Sequence, residues 1–296
     1  MDAGQTVGQC AFEMLFTRSV PHILEKIFFS LDYESFQTCF MVNSIWNELL
    51  SSESYQKITT KMLITKEKSE KKLWHMSDLG KTCEVKQLVS AGGWMNMNCV
   101  AGWDQSTPLY QAASNGHTDV VQVLLDEGAE TDKANNFGST PLLRASGGNH
   151  KEVVQLLLCG NADLKKMNKS GHSPLQFAAL HDNKDVAQVL LDAGADPDQA
   201  DKAGWTPLFS CVDRGKIEIL RLLLERGADP NKANIDGYTL LHWAALSGRH
   251  DVVQLLLAGG ADPNKTNRRG QTLLQYATEE GQEEIVQLLQ AHFANQ

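Results

Sequence analysis

Apolar positions recur every 33 residues over most of this chain. One leucine column has this spacing without a break and consists of Leu124, Leu157, Leu190, Leu223, Leu256 and Leu289. A short Thr/Ser-Pro/Leu-Leu phrase keeps the same spacing and begins at Thr107, Thr140, Ser173, Thr206, Thr239 and Thr272. A fixed period of this length predicts a stacked helical solenoid, in which each unit buries its apolar face only against its neighbours.

The unit that starts at Asn234 shows what each repeat predicts locally. Gly237 permits a tight turn, and Thr239 has a hydroxyl suited to capping the first helix. Gly248 ends that helix in a left-handed cap, and the apolar stretch 252–257 predicts a second helix. The unit is therefore predicted as turn, helix, turn, helix and loop.

Residues 102–296 resemble the ankyrin repeat on these motifs. The matching phrases are Thr-Pro-Leu, the Ala-Ala pair, Val-Val-x-Leu-Leu-Leu and Gly-Ala-Asp, in units that begin near residues 102, 135, 168, 201, 234 and 267. Only His242 keeps the family's histidine, and Asn161 replaces a glycine at a left-handed position. The resemblance implies an all-α fold whose outward turns and first helices line a concave protein-binding groove.

Imperfect units are predicted at both ends of the array. Residues 73–101 keep Gly80, Val85 and Val89 in the order of a degraded N-terminal capping repeat. The last unit lacks the Gly-Ala-Asp exit, and Gln290 replaces a leucine, as an exposed end requires. About seven helix-turn-helix units are therefore expected.

The first 72 residues do not share the period. We divide them into a tail (1–18), an apolar helical module (19–58) and a charged helical linker (59–72). The module is too small to bury itself well and needs a partner. It resembles the F-box, by which substrate receptors dock on the Skp-type adaptor of cullin–RING ubiquitin ligases. The resemblance implies adaptor contacts at Pro21, Ile23, Leu24, Ile27, Leu31, Phe36, Val42 and Trp46.

Two departures weaken the edge of this F-box pattern more than its centre. Pro21 lies one residue nearer Ile27 than is usual in the family, and His22 occupies a position where an acidic residue is common. The alternative is a helical cap that packs on the first repeat.

One column of the repeats predicts a partner-binding strip. Directly before the Thr or Ser of each phrase, this column contains His172, Trp205 and Tyr238. Aromatic side chains at one phase of the repeat should line up across the groove, and such residues dominate binding hot spots. The predicted groove residues are these three, with Trp103 and Phe137 at one end and Arg268 and Arg269 at the other. The alternative is that Trp205 and Tyr238 only pack across the next turn.

Charge and cysteine pattern narrow the function further. The net charge is −9, and residues 73–296 contain 19 Lys/Arg against 27 Asp/Glu, which argues against nucleic-acid binding. The six cysteines form no Cys-x-x-Cys pair, as expected of reduced thiols. No apolar stretch reaches the ~18 residues of a membrane span. We expect a protein of the cytoplasm, with the nucleus as an alternative location. Outside its complex we expect it to be monomeric.

No motif predicts catalysis, a metal or a cofactor. His117, His150 and His250 fall at turns of the repeat and are predicted to be turn and capping residues. The main hypothesis is a non-enzymatic substrate receptor of an SCF-type ubiquitin ligase, with an unidentified target protein in the groove. The alternatives are an ankyrin scaffold or inhibitor without a ligase, and a transcriptional regulator, for which no Lys/Arg import cluster is present.

Overall fold

A computed structural model describes residues 53–90, 96–212 and 215–294 of the chain. These residues form fourteen helices and no strand, apart from isolated bridges at turns. The helices are α1 (Glu53–Asp78), α2 (Thr82–Ser90), α3 (Pro108–Ser114), α4 (Thr118–Asp126), α5 (Pro141–Gly147), α6 (Lys151–Cys159), α7 (Pro174–His181), α8 (Lys184–Asp192), α9 (Pro207–Val212), α10 (Ile217–Glu225), α11 (Leu240–Leu246), α12 (His250–Ala258), α13 (Leu273–Glu279) and α14 (Glu283–Ala294).

The helices stack in two layers, as predicted for an all-α solenoid. The first helices of successive units, α3, α5, α7, α9, α11 and α13, pack side by side, and α1 packs against α3. The second helices lie behind them, with α2 against α4 and α4 against α6. Helix α1 begins at Glu53 and continues without a break through the predicted linker into the first unit. All eight predicted adaptor-contacting residues, from Pro21 to Trp46, lie outside the described residues.

The leucine column forms the core of the stack. Leu124, Leu190 and Leu289 have no exposed side-chain surface, and neither do the other three members of the column. The paired alanines of the first helices, such as Ala244 and Ala245, are equally buried. A buried leucine contributes roughly 1.5–3 kcal/mol relative to an exposed one. The period read from the sequence is therefore the period of the packing.

The start of each first helix follows the predicted capping pattern in most units. The hydroxyls of Thr107, Thr140, Ser173 and Thr272 accept a hydrogen bond from the backbone N–H three residues on. The role predicted for Thr239 is wrong, because its side chain makes no such bond. Its Oγ1 lies 2.8 Å from Nδ1 of His242 instead. The hydroxyl therefore bonds the side chain of a helix residue instead of a free backbone N–H.

Side chains directly before the second helices bridge neighbouring units. His150 Nε2 lies 3.1 Å from the backbone carbonyl oxygen of Ser114 in the preceding unit, and Asn183 Nδ2 donates to that of Ser146 at 2.7 Å. His117 and His150 occupy the N-cap positions of their helices, as predicted, but neither side chain bonds to its own helix. We call this set the bridging column: His117, His150, Asn183, Lys216, Arg249 and Gln282.

His250 also departs from its predicted turn role. It is the first residue of α12, and its Nδ1 lies 3.0 Å from a carboxylate oxygen of Glu284 in the next unit. The contact is more than one-third exposed on both sides, so it contributes little to stability.

The turns between units are joined along one edge. The backbone N–H of Lys169 donates to the carbonyl of Phe137 at 2.9 Å, and that of Ile235 donates to Ala203 at 3.0 Å. Gly171 has φ +91°, and a Cβ there would lie 2.8 Å from the next turn's backbone nitrogen. Glycine is required because only a residue without Cβ allows both this conformation and this approach. We call the outermost residues of these turns, at 103–104, 136–137, 169–170, 202–203, 235–236 and 268–269, the turn tips. The turn tips form one continuous edge.

Candidate protein-binding face

The turn tips and the first helices together form one face of the array, which we call the inner face. At its N-terminal end Trp103 and Phe137 project from adjacent tips. Their rings meet edge to face with centroids 5.5 Å apart, and the two residues are 84% and 50% exposed. Contiguous exposed apolar surface is typical of interaction sites, so this aromatic pair is a candidate contact site. The structure brings these two predicted residues together.

The other three predicted aromatic residues lie further along the inner face and are half-buried. Trp205 contacts Trp243 of the next unit, with ring centroids 4.5 Å apart. His172 contacts Phe177, and Tyr238 contacts His242, each within its own unit. These rings therefore pack against first-helix residues rather than forming a strip of their own.

Sequence reasoning missed the first-helix members of the inner face. Phe177 and Trp243 are half-buried beside Leu180 and Leu246, which are 37% and 50% exposed. Phe177 lies over Gly147, where an added Cβ would approach its ring to 2.9 Å. The signal was present in the sequence, since Phe177 and Trp243 share one repeat phase, as do Leu180 and Leu246. We call these four residues and Trp205, which lie on three consecutive units, the apolar floor of the face.

Positive charge lies along the tips beyond this floor. Lys169, Lys202, Arg268 and Arg269 are all exposed. Arg268 lies 3.6 Å from the carboxylate of Asp236, an exposed pair that contributes little to stability. The basic end predicted at Arg268 and Arg269 is therefore on the surface, and Lys169 and Lys202 extend it.

Buried polar side chains hold the turns in place behind this face. His242 Nε2 lies 3.2 Å from the carbonyl oxygen of Gln271 in the next turn, and Gln176 Nε2 donates to the carbonyl of Trp205. Because a carbonyl only accepts, His242 carries its proton on Nε2, and the Thr239 hydroxyl donates to Nδ1. Burial lowers the pKa of His242, which favours this neutral form.

Within residues 53–90, 96–212 and 215–294, no three His, Cys, Asp or Glu side chains are grouped to hold a metal ion. Cys211 is fully buried, and this burial raises the pKa of its thiol, which disfavours the reactive thiolate. The same part of the chain contains no helix long and apolar enough to cross a membrane.

Comparison with known proteins agrees with this architecture. The family model described as ankyrin repeats (3 copies) matches residues 73–168, 145–234 and 230–296. The ankyrin repeat domain of Bcl-3, described as a unique member of the IkappaB protein family, is 27% identical with a TM-score of 0.68. That likeness covers 74% of this chain and 97% of the Bcl-3 domain.

A second solved structure gives a similar result. The human ASB11 ankyrin repeat domain is 25% identical with a TM-score of 0.64, over 74% of this chain and 96% of that domain. A search of curated protein sequences gives no significant match. The chain belongs to the ankyrin-repeat family, and its repeats form a protein-interaction module.

Proposed function

We propose that this protein is a substrate receptor of an SCF-type cullin–RING ubiquitin ligase. The inner face of the repeats holds the target protein, and residues 19–58 dock on the Skp-type adaptor. The chain contributes no reacting group. It brings the target close to a conjugating enzyme on the same complex, and raising the effective concentration of the reactants accelerates their reaction.

The exposed apolar surface of the inner face is the observation that supports target binding. Trp103 and Phe137 project at one end, while Leu246 is half exposed beside Trp205 and Trp243 in the middle. Exposing such side chains to water is unfavourable in free energy, and protein interfaces bury them as anchors. The aromatic rings are already held by neighbouring rings, so a partner orders few side chains on binding.

The F-box resemblance of residues 19–58 supports the adaptor contact. Ile27, Leu31 and Trp46 stand at the family's spacing in a segment that is too short to bury its own apolar surface. The second candidate function is a scaffold or inhibitor without a ligase. The likeness to the Bcl-3 and ASB11 domains concerns the repeats, which both candidates share, so it does not separate them.

Isothermal titration with the purified Skp-type adaptor separates the two candidates. We expect the full chain to bind one adaptor molecule, and Ile27→Ala/Leu31→Ala/Trp46→Ala to abolish binding. Phe12→Ala/Phe16→Ala is the matched control, because it removes apolar side chains from the tail outside the F-box-like module. Circular dichroism verifies that the repeats stay folded in each variant. A folded wild type that gives no binding heat supports the scaffold instead.

A further inference from the structure

Charge is segregated on the surface of the repeats. The tips at 103–104, 136–137, 169–170, 202–203, 235–236 and 268–269 contain four cations, Lys169, Lys202, Arg268 and Arg269, and two carboxylates, Asp236 and the buried Asp104. Their net charge is therefore 4 − 2 = +2, in a chain whose total is −9. Carboxylates collect instead at the start of the second helices, as at Asp119, Glu152, Asp185, Glu218, Asp251 and Glu284. The tips are a basic edge on an acidic protein.

Two of these cations have no carboxylate partner on the described part of the chain. Lys202 Nζ donates to the backbone carbonyl of Lys169 at 2.8 Å, and the N–H of Lys169 donates to that of Phe137. No Asp or Glu of the described residues lies within ion-pair distance of either ammonium. The backbone bonds fix the tips in place and leave the charges to an outside partner.

The cations continue the line of the exposed aromatic pair. Trp103 and Phe137 stand on the first two tips of the same edge, and Lys169 and Lys202 stand on the next two. Stacked helices lie roughly 8–10 Å apart, so successive tips are separated by about that distance. An extended peptide advances about 3.3 Å per residue, so it passes one tip for about every three residues.

We infer that this edge binds an extended acidic peptide whose bulky apolar side chain packs on the exposed surface of the Trp103–Phe137 pair. The inference rests on the proposed target-binding function and names the kind of segment that the target presents. The apolar side chain is the anchor; two carboxylates about three residues apart pair with Lys169 and Lys202, and one about six residues further on pairs with the Arg268–Arg269 end. Opposite charge on the partner also speeds encounter, in a manner that salt reduces.

A nucleic acid fits this edge less well than a peptide. Salt-dependent binding to nucleic acid is strong when roughly 6–10 phosphates are contacted. The tips supply four cations, of which Arg268 already faces Asp236, and the rest of the repeats is acidic. A single file of cations one or two repeats apart, with Asp236 between them, suits separate side chains on an extended peptide better than a continuous phosphate backbone.

Fluorescence anisotropy with synthetic peptides and the full chain tests the inference. The probe is a labelled peptide of about fifteen residues with one Phe and with Glu about three, six and twelve residues after it, opposite Lys169, Lys202 and the Arg268–Arg269 end. Its reversed sequence is measured as well. We expect one of the two to bind at least ~10-fold more tightly than versions with Lys for Glu or Ser for Phe. Equal affinity for all versions would overturn the inference.

Variants of the chain place the binding on this edge. We expect Trp103→Ala and Lys169→Glu/Lys202→Glu each to weaken binding about tenfold or more. Lys86→Glu/Arg221→Glu makes the same charge change at exposed positions of the second helices and should stay within about twofold. Circular dichroism verifies folding. Equal weakening by both double variants would contradict an edge-specific site.

Two further measurements identify a different occupant. Equal affinity for a fifteen-nucleotide oligothymidylate would make the edge a nucleic-acid site and overturn the inference. Self-association of the chain that Lys169→Glu/Lys202→Glu abolishes would make the occupant a second copy, which also overturns it. Adaptor titration on the same samples separates the two proposals: adaptor binding without peptide binding refutes only this inference, and peptide binding without adaptor binding refutes only the ligase link.

Discussion

Each side chain of the bridging column needs room beside the backbone of the preceding unit. Around His150 this space is provided by Gly116, where an added Cβ would lie 2.4 Å from Nδ1 of the ring. The residue that corresponds to Gly116 one unit later is Asn149, which has a Cβ and a left-handed φ of 60°. The column residue that faces it is Asn183. The smaller amide at 183 therefore accompanies the larger residue at 149.

We predict that Asn183→His is tolerated only together with Asn149→Gly. In the single variant the ring meets Cβ of Asn149 at a distance that real contacts do not reach, and such overpacking costs about 1–3 kcal/mol. The variant also gives up the amide bonds to the carbonyls of Ser146 (2.7 Å) and Gly147 (3.0 Å). In Asn149→Gly/Asn183→His the clash is gone. The new ring can also bond the backbone carbonyl of Ser146, in the way that the ring of His150 contacts the carbonyl of Ser114.

The loss of the Asn183 hydrogen bonds, measured with Asn183→Ala, is the reference against which the other variants are compared. Each neutral hydrogen bond contributes about 0.5–1.5 kcal/mol, so Asn183→Ala should cost roughly 1–3 kcal/mol. Asn149→Gly alone should change stability by at most about 1 kcal/mol, because the relief of left-handed strain and the flexibility of glycine oppose each other. The coupling between positions 149 and 183 should therefore favour the double variant by about 1–3 kcal/mol.

Native-state hydrogen exchange is the appropriate assay, because a repeat array can unfold in parts. The protection of amides in α5 and α7 is compared among wild type, both single variants and the double variant. The reasoning is refuted if Asn183→His alone loses less than about 0.5 kcal/mol, or if the coupling free energy is below that value. Amides in α13, far along the array, serve as the internal control.

Three further predictions concern other parts of the array. Burial lowers the pKa of His242, so the unfolded chain takes up a proton first as pH falls. The stability from the neutral ring is therefore complete above about pH 6.5 and is lost as pH falls towards the lower folded value. Between pH 7 and 5, the free energy of unfolding in urea should fall less for His242→Gln than for wild type. The reason is that a glutamine can make the same bond without titrating, as Gln176 does. An equal fall in both proteins would contradict this. Gly171→Ala should lower the free energy of unfolding by about 1–3 kcal/mol, because its Cβ would lie 2.8 Å from a backbone nitrogen. Gly194→Ala has open space around the new Cβ but the same positive φ, so it should cost only the backbone strain of about 1–2 kcal/mol. Leu190→Ala should cost about 2–5 kcal/mol in thermal or urea unfolding, while Leu180→Ala, on the surface, should cost below about 1 kcal/mol; similar losses at both would show that the leucine column is not the core.

The fold was predictable because its information is periodic. Each leucine of the column repeats the same packing, so one unit read correctly gives all six. The unit-to-unit bridges were not predictable in the same way. His150 stands at a turn in the sequence, and only the stacking shows that its ring reaches Ser114 of the preceding unit. Contacts between units depend on the rise and rotation of the stack, which a single repeat does not contain.

The candidate site was predictable in part. Trp103 and Phe137 lie in different columns of the repeat, yet their ring centroids lie 5.5 Å apart. Trp205 shares a column with His172 and Tyr238, but its ring packs on Trp243 of the next unit. A shared phase fixes where the backbone lies. The direction of a large side chain depends on which neighbours leave room, as Gly147 does for Phe177.

Site-specific photocrosslinking tests most directly whether the inner face holds the target. A benzophenone amino acid replaces Tyr238 or Leu246 on the inner face, and Arg221 on the second helix α10 as the control. Adducts are identified by mass spectrometry from cells that express each variant. The account predicts that Tyr238 and Leu246 both crosslink to one and the same protein and that Arg221 does not. Crosslinking of that protein through Arg221, with none through the inner-face positions, would contradict it.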